Sequence, residues 1–146
     1  MNLVVDSSIV ISALIKPPGV IAKVLFNQLG KHQLSGPSYL FDEVIKHKHK
    51  ILIITGYSER EFQELLYNLL KRLHLIDDSL IYDINFKRAF KLVNSIDPKD
   101  IVYVVLSLQM QCHLWTGDKK LYSGLKDAGF NKVLNTNDLI LLIQNH

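Results

Sequence analysis

Short apolar runs alternate along this chain with longer stretches in which apolar residues recur every three or four positions. "NLVV" (2–5) predicts a buried strand, followed by a helix from about Ser7 to Ile15, a break at "KPPG" and a second helix from about Val20 to Leu29. "HQLSGP" predicts the second strand, and "SYLFDEVIKHKHK" a helix that Ser38 can cap and that carries Glu43. "SERE", residues 58 to 61, has the form of a capping box, in which Ser58 accepts from the backbone of Glu61 while Glu61 reaches back. Beyond it Phe62, Leu65, Leu66, Leu69, Leu70 and Leu73 make one apolar stripe on a single helix, facing the core or a partner.

The second half keeps the alternation. "LIDDSLIYD" predicts a short strand and "FKRAFKLVNSI" a basic amphipathic helix. "DPKDIVYVVLSLQMQC" opens a helix with Asp97 as cap and Pro98 at the first position, where a missing N–H costs nothing. That helix is apolar on nearly all sides, so burial is expected. "HLWT" is a strand ending at Gly117 and Asp118, "KKLYSGLKDAG" a helix closed by Gly129, "KVLNT" a strand and "NDLILLIQN" the last helix. Strands alternating with helices predict an α/β fold around a mostly parallel sheet.

Composition narrows the class. With 146 residues, 48% of them apolar and 21% charged, the chain has the size and make-up of one globular domain, 1–146, able to bury a core without disulfides. Its single cysteine, Cys112, lies in an apolar stretch and reads as a packed thiol. No basic-then-apolar leader opens the sequence, and no run approaches the ~18 apolar residues of a membrane span. The expected location is therefore the cytoplasm, with no membrane partner. A net charge of +3 is compatible with a nucleic-acid partner without identifying one.

The acids say more. Asp6 follows the first predicted strand, Asp118 a later one, and Asp100 lies in the first turn of the helix between them. Strands of a parallel α/β sheet share one carboxyl edge, where crevices and sites form, so these three converge by topology. Glu43 can be aimed at the same edge, and Asp97, three residues before Asp100, can join. Each also has an ordinary structural reading: Asp6, Asp97 and Asp118 as helix caps, Asp100 as the acidic partner in a capping box, Glu43 as a solvated helix residue. A cluster needs a counter-ion, because like unit charges ~4 Å apart repel by roughly 4 kcal/mol at an effective dielectric of about 20. Oxygen-only donors, with no cysteine or histidine at ligand spacing, point to Mg²⁺ or Mn²⁺ and to phosphodiester chemistry. Ser7, Ser8 and Thr116 lie nearby to orient water or ligand.

"VVDSSIVISAL", "SGPSYLFDEVIK", "DPKDIVYVVLSL" and "HLWTGDKKL" stand in the order and rough spacing of a PIN-domain ribonuclease, over nearly the whole length. The chain resembles most closely the VapC-like group, toxin components of type II toxin-antitoxin pairs. The resemblance implies a three-layer fold with a central, mostly parallel sheet of about five strands flanked by helices. It also implies a Mg²⁺- or Mn²⁺-dependent endoribonuclease leaving 5'-phosphate and 3'-hydroxyl ends, with a cognate antitoxin as partner. Asp6, Glu43, Asp100 and Asp118 match the family's catalytic and metal-holding acids by motif. Many relatives follow the first acid with Thr-Asn, whereas this chain has Ser7 and Ser8. "DPKD" leaves the third acid between Asp97 and Asp100; Asp100 is preferred as ligand, with Asp97 as cap or as support for the ligands.

Lys46, Lys48 and Lys50, together with Lys99, Lys119 and Lys120 beside the acids, can steer an RNA backbone; the first three equally suit a solvated helix end. His47 and His49, two apart on a helix, point away from each other and read as surface residues. An apolar stripe from Phe62 to Leu73 larger than one core can cover predicts a homodimer or a held partner. No glycine-rich loop with Lys-Ser/Thr is present for a P-loop nucleotide enzyme. An RNA-processing nuclease fits the same residues as a toxin does, and a non-catalytic PIN-like module binding RNA or protein is the alternative from another class.

Overall fold

The apolar run that opens the chain becomes the middle of a sheet. In the computed structural model, which describes residues 1–16, 19–28, 32–92 and 97–145, strand β1 (Asn2–Val5) pairs in parallel with β2 (Gln33–Pro37). β3 (Leu73–Ile76) lies outside β2, while β4 (His113–Trp115) and then β5 (Val133–Leu134) lie on the other side of β1. The order β3-β2-β1-β4-β5 is parallel at every pairing, the five-stranded central sheet with flanking helices expected of the chain. A central strand covered on both faces needs no polar alternation, and Leu3, Val4 and Val5 are each fully buried.

Helix α1 (Ser7–Ile15) packs against α2 (Val20–Lys23), α3 (Tyr39–Lys46), α4 (Lys48–Thr55) and α5 (Glu59–Leu70). The Tyr57 hydroxyl donates to the carbonyl of Leu14, one of the acceptors left open by the end of α1 (2.9 Å). α2 continues as a π turn over Val24–Gln28, where Arg72 donates to the Leu25 carbonyl. α6 (Asp83–Leu92) backs α7 (Ile101–Met110), which crosses β1, β2 and β4. α8 (Lys119–Asp127) and α9 (Thr136–Gln144) complete the described helices. As its all-round apolarity predicts, α7 is a core helix: Ile101 and residues 103 to 107 are buried, and Ile101, Val104, Val105 and Leu106 each contribute roughly 1.5–3 kcal/mol. Cys112 is a packed thiol, and burial pushes its pKa up. Among the described residues no single helix is long and apolar enough to cross a membrane.

Several expectations change at element ends. Ser38 stands at the N-cap of α3 but makes no side-chain bond to its own helix; its hydroxyl accepts instead from the backbone of Asp78 (3.3 Å). The helix expected to run through "KHKHK" is divided at His47 into α3 and α4. Leu73 leaves the helical stripe to open β3 opposite Leu34, because an apolar residue at a helix end satisfies either period and strand pairing decides. The strand expected over "LIDDSLIYD" has already ended at Ile76, since Asp77 accepts from Ser79 N and caps a 3-10 turn over Asp78–Leu80. α6 starts at Asp83, ahead of the predicted Phe86. Asn135 and Asp138 form a capping box that was not anticipated, and it shortens β5 and starts α9 at Thr136. The break at Pro17 and Pro18, the end of the second predicted helix at Leu29, and the basic helix beyond Leu92 lie outside the described residues.

Candidate active site

The register of the sheet sets Val5 beside Trp115, and the next residues along, Asp6 and Thr116, meet at its carboxyl edge. Asp6 caps α1, accepting from Ser8 N (3.0 Å) and from the Ser8 hydroxyl on one oxygen. Its other oxygen accepts from the Thr116 hydroxyl. Both hydroxyls also accept backbone bonds from the loop after β4, Ser8 from Gly117 N (2.9 Å) and Thr116 from Asp118 N (3.0 Å). The capping reading of Asp6 is therefore correct and incomplete: a cap normally faces solvent, whereas this carboxyl is 3% exposed. Burial raises its pKa to about 6 despite those hydrogen bonds, and the charge of Asp118 adds to the rise.

Glu43 reaches the same region from α3. Its carboxylate accepts from Ser7 Oγ (3.2 Å) and from the Tyr103 hydroxyl on α7. Burial raises the Tyr103 pKa, and donating to Glu43 raises it further. The phenol of Tyr39 is also raised, first by burial and then by the charges of Glu43, Asp100, Asp97 and Asp42, so it lies in the field of the acids. Neither tyrosine was singled out from the sequence. Their spacing carried the signal: Tyr39 is four residues before Glu43 and Tyr103 three after Asp100, the separations that share a helix face. Of the hydroxyls expected near the acids, Ser7 donates to Glu43, and Ser8 and Thr116 donate to Asp6.

Asp97 is exposed and caps the 3-10 turn Pro98–Asp100 through Lys99 N (3.1 Å), with Pro98 in the first position. Asp100 makes no side-chain capping bond and is half-buried at the start of α7. Its pKa is raised to about 7, by burial first and then by Asp118, Asp6, Glu43 and Asp97. Asp118 caps α8, one oxygen accepting from Lys120 N (2.9 Å) and Leu121 N (3.1 Å). All the predicted acids thus lie within electrostatic reach of Asp100.

Among the described residues the ion pairs are Lys48–Glu59 and Arg60–Glu64, so no cation neutralises this cluster. Lys46, Lys99, Lys119 and Lys120 are exposed, while Lys48 pairs with Glu59 (2.6 Å). His47 and His49 are exposed, as expected. No three Asp, Glu, His or Cys side chains among the described residues stand close enough to grip an ion as placed, so the acids face one another without closing a ligand shell. Mg²⁺ does not require a closed shell: it keeps several waters and takes one or two carboxylates. The donor set, all oxygen, partly desolvated and mutually repelling, fits such a cation.

A parallel five-stranded sheet with an uncompensated acidic centre at its carboxyl edge defines the class of α/β protein this is. A family model described as "PIN domain" matches residues 4–138, and the chain belongs to the PIN domain family. Its fold is that of VapBC2 from Rickettsia felis, solved bound to a DNA fragment from their promoter: TM-score 0.72, 17% identity, 92% of this chain and 98% of that one covered. PAE2754 from Pyrobaculum aerophilum gives 0.69 at 14% identity, covering 100% and 91% of the two chains. VapBC-1 from nontypeable Haemophilus influenzae gives 0.66 at 18%, covering 94% and 99%. Comparison with curated protein sequences gives no match.

Proposed function

We propose that this chain is a Mg²⁺- or Mn²⁺-dependent endoribonuclease that hydrolyses RNA to 5'-phosphate and 3'-hydroxyl ends, acting in the cytoplasm as the toxin of a toxin-antitoxin pair. The observation that carries the reading is the cluster of Asp6, Glu43, Asp100 and Asp118 with no basic side chain paired to it among the described residues. Membership of the PIN domain family and the fold shared with two VapBC structures support the nuclease and the antitoxin partner.

The four acids are the residues that would hold the cation, which when bound would supply Lewis acidity toward a phosphodiester oxygen. Ser8 and Thr116 fix both oxygens of Asp6, Ser7 with Tyr103 fix Glu43, and the backbone of Lys120 and Leu121 fixes Asp118, so three of the four carboxylates are oriented before any substrate arrives. Asp100, lacking such bonds, is the acid free to change its proton and its position. Lys46, Lys99, Lys119 and Lys120 attract the RNA backbone to an edge that its own charge would otherwise repel.

Purified protein incubated with total RNA and Mn²⁺ is expected to create new 5'-phosphate ends, absent with chelator and with Asp6→Asn. Ends that persist in Asp6→Asn would remove Asp6 from the chemistry. Mn²⁺ is also expected to raise the thermal midpoint of the wild type more than that of Asp6→Asn, since a ligand of the folded state stabilises it. Equal shifts in the two proteins would place the bound ion elsewhere.

A further inference from the structure

The loops after β4 and β5 line an open cavity of about 410 Å³ that includes Asp118 in its wall. Its walls are held by internal bonds. The Tyr122 hydroxyl donates to Asp138 (2.7 Å), the Trp115 indole N–H donates to the Thr136 hydroxyl (3.1 Å), and Asn135 accepts from Asp138 N (2.8 Å). Other groups on the same walls are unspent: among the described residues, the Ser123 hydroxyl and the Asn137 amide make no side-chain hydrogen bond, and Lys119 makes no ion pair. Among the described residues Asp118 is the only carboxylate in the lining, which leaves the cavity unsuited to a cation of its own.

The size falls within the range of small-molecule sites. A phenol ring on one wall, neutral groups that both donate and accept, and a lysine match a planar heterocycle carrying a phosphate. We propose that this cavity seats the base of the RNA nucleotide next to the phosphate held at the acids, stacked on Tyr122 and read at its edge by Asn137 and Ser123. Its place beside the scissile bond rests on the ribonuclease reading; its capacity to bind a nucleotide does not. Stacking accepts any base, whereas edge hydrogen bonds discriminate, so Asn137 and Ser123 are the specificity-determining residues at that position.

The chain's one tryptophan reports on this wall through its bond to Thr136. Each of the four ribonucleoside 5'-monophosphates is titrated into chelator-treated wild type, Ser123→Phe and Asn137→Ala, following the Trp115 indole N–H by ¹⁵N–¹H correlation spectra, which also establish that each variant is folded. A saturable shift is expected in the wild type with at least one nucleotide, lost in Ser123→Phe, where the phenyl group fills the cavity. Asn137→Ala is expected to level the differences among the four bases and to relax the base preference in the RNA-end map. No saturable shift, or the same shift in Ser123→Phe, overturns the assignment whether or not RNA is cut. Saturable binding without RNA cleavage upholds the cavity and overturns the nuclease reading. Cleavage whose base preference is unchanged in Asn137→Ala removes Asn137 as a reader.

Discussion

Asp6 shows how one carboxylate can be read twice. A strand that ends in aspartate followed by two serines is enough to place it as a cap at a sheet edge, with Ser8 as a local hydroxyl donor, but its second hydroxyl donor, Thr116, comes from β4 pairing beside β1, and the carboxyl is only 3% exposed. Both Asp6, at about 6, and Asp100, at about 7, titrate above their unfolded values, so the folded state binds protons more tightly. The stability this contributes is full below about pH 4 and is lost as pH rises through 6 to 7. Chelator-treated protein is thus expected to melt higher at pH 5 than at pH 8, and Asp100→Asn to flatten that fall. A wild-type midpoint that rises over the same range, or a slope unchanged in Asp100→Asn, would rule out the uncompensated cluster. The clustering of Asp6 and Asp118 with Asp100 and Glu43 was legible because strand ends, and the helix ends beside them, converge at one edge of a parallel sheet. Tyr39 and Tyr103 were not, since an aromatic residue in an apolar helix looks like core until the facing helix is known.

At the scale of elements, termini written in local chemistry were legible. The Ser58–Glu61 capping box and the Asp97–Pro98 start are as the sequence predicts, because both depend on residues within one turn. Boundaries chosen by competition were not: Leu73 joined β3, and the helix through Glu43 ended at Lys46. α4 closes on Gly56 in the left-handed region (φ +73), where its N–H donates to Leu52 O (2.9 Å). A Cβ there would meet nothing within 4 Å, so the whole cost of Gly56→Ala is backbone strain. Urea unfolding is expected to show a loss of about 1 kcal/mol. A neutral result would mean that the turn relaxes into another conformation.

For the whole molecule, the stripe from Phe62 to Leu73 turned out to belong to the core, with Phe62, Leu66, Leu69 and Leu73 buried and Leu65 and Leu70 packed against it. Exposed apolar side chains include Phe41 and Ile45 on α3 and Ile53 (70% exposed) and Ile54 on α4. A homodimer, if formed through this face, is expected to appear by light scattering in the wild type and to dissociate in Ile53→Glu; a wild-type monomer at every concentration would remove it. The sequence by itself determined the alternation of strands and helices, the buried α7 and the strand-end positions of Asp6 and Asp118, because burial period and strand-end position are properties of local order. Only the tertiary structure decided that Thr116 would serve Asp6 across 110 residues, that Tyr103 would hold Glu43 across 60, and which apolar stripe would remain uncovered. Those outcomes depend on which elements become neighbours, and packing of the complete chain sets that.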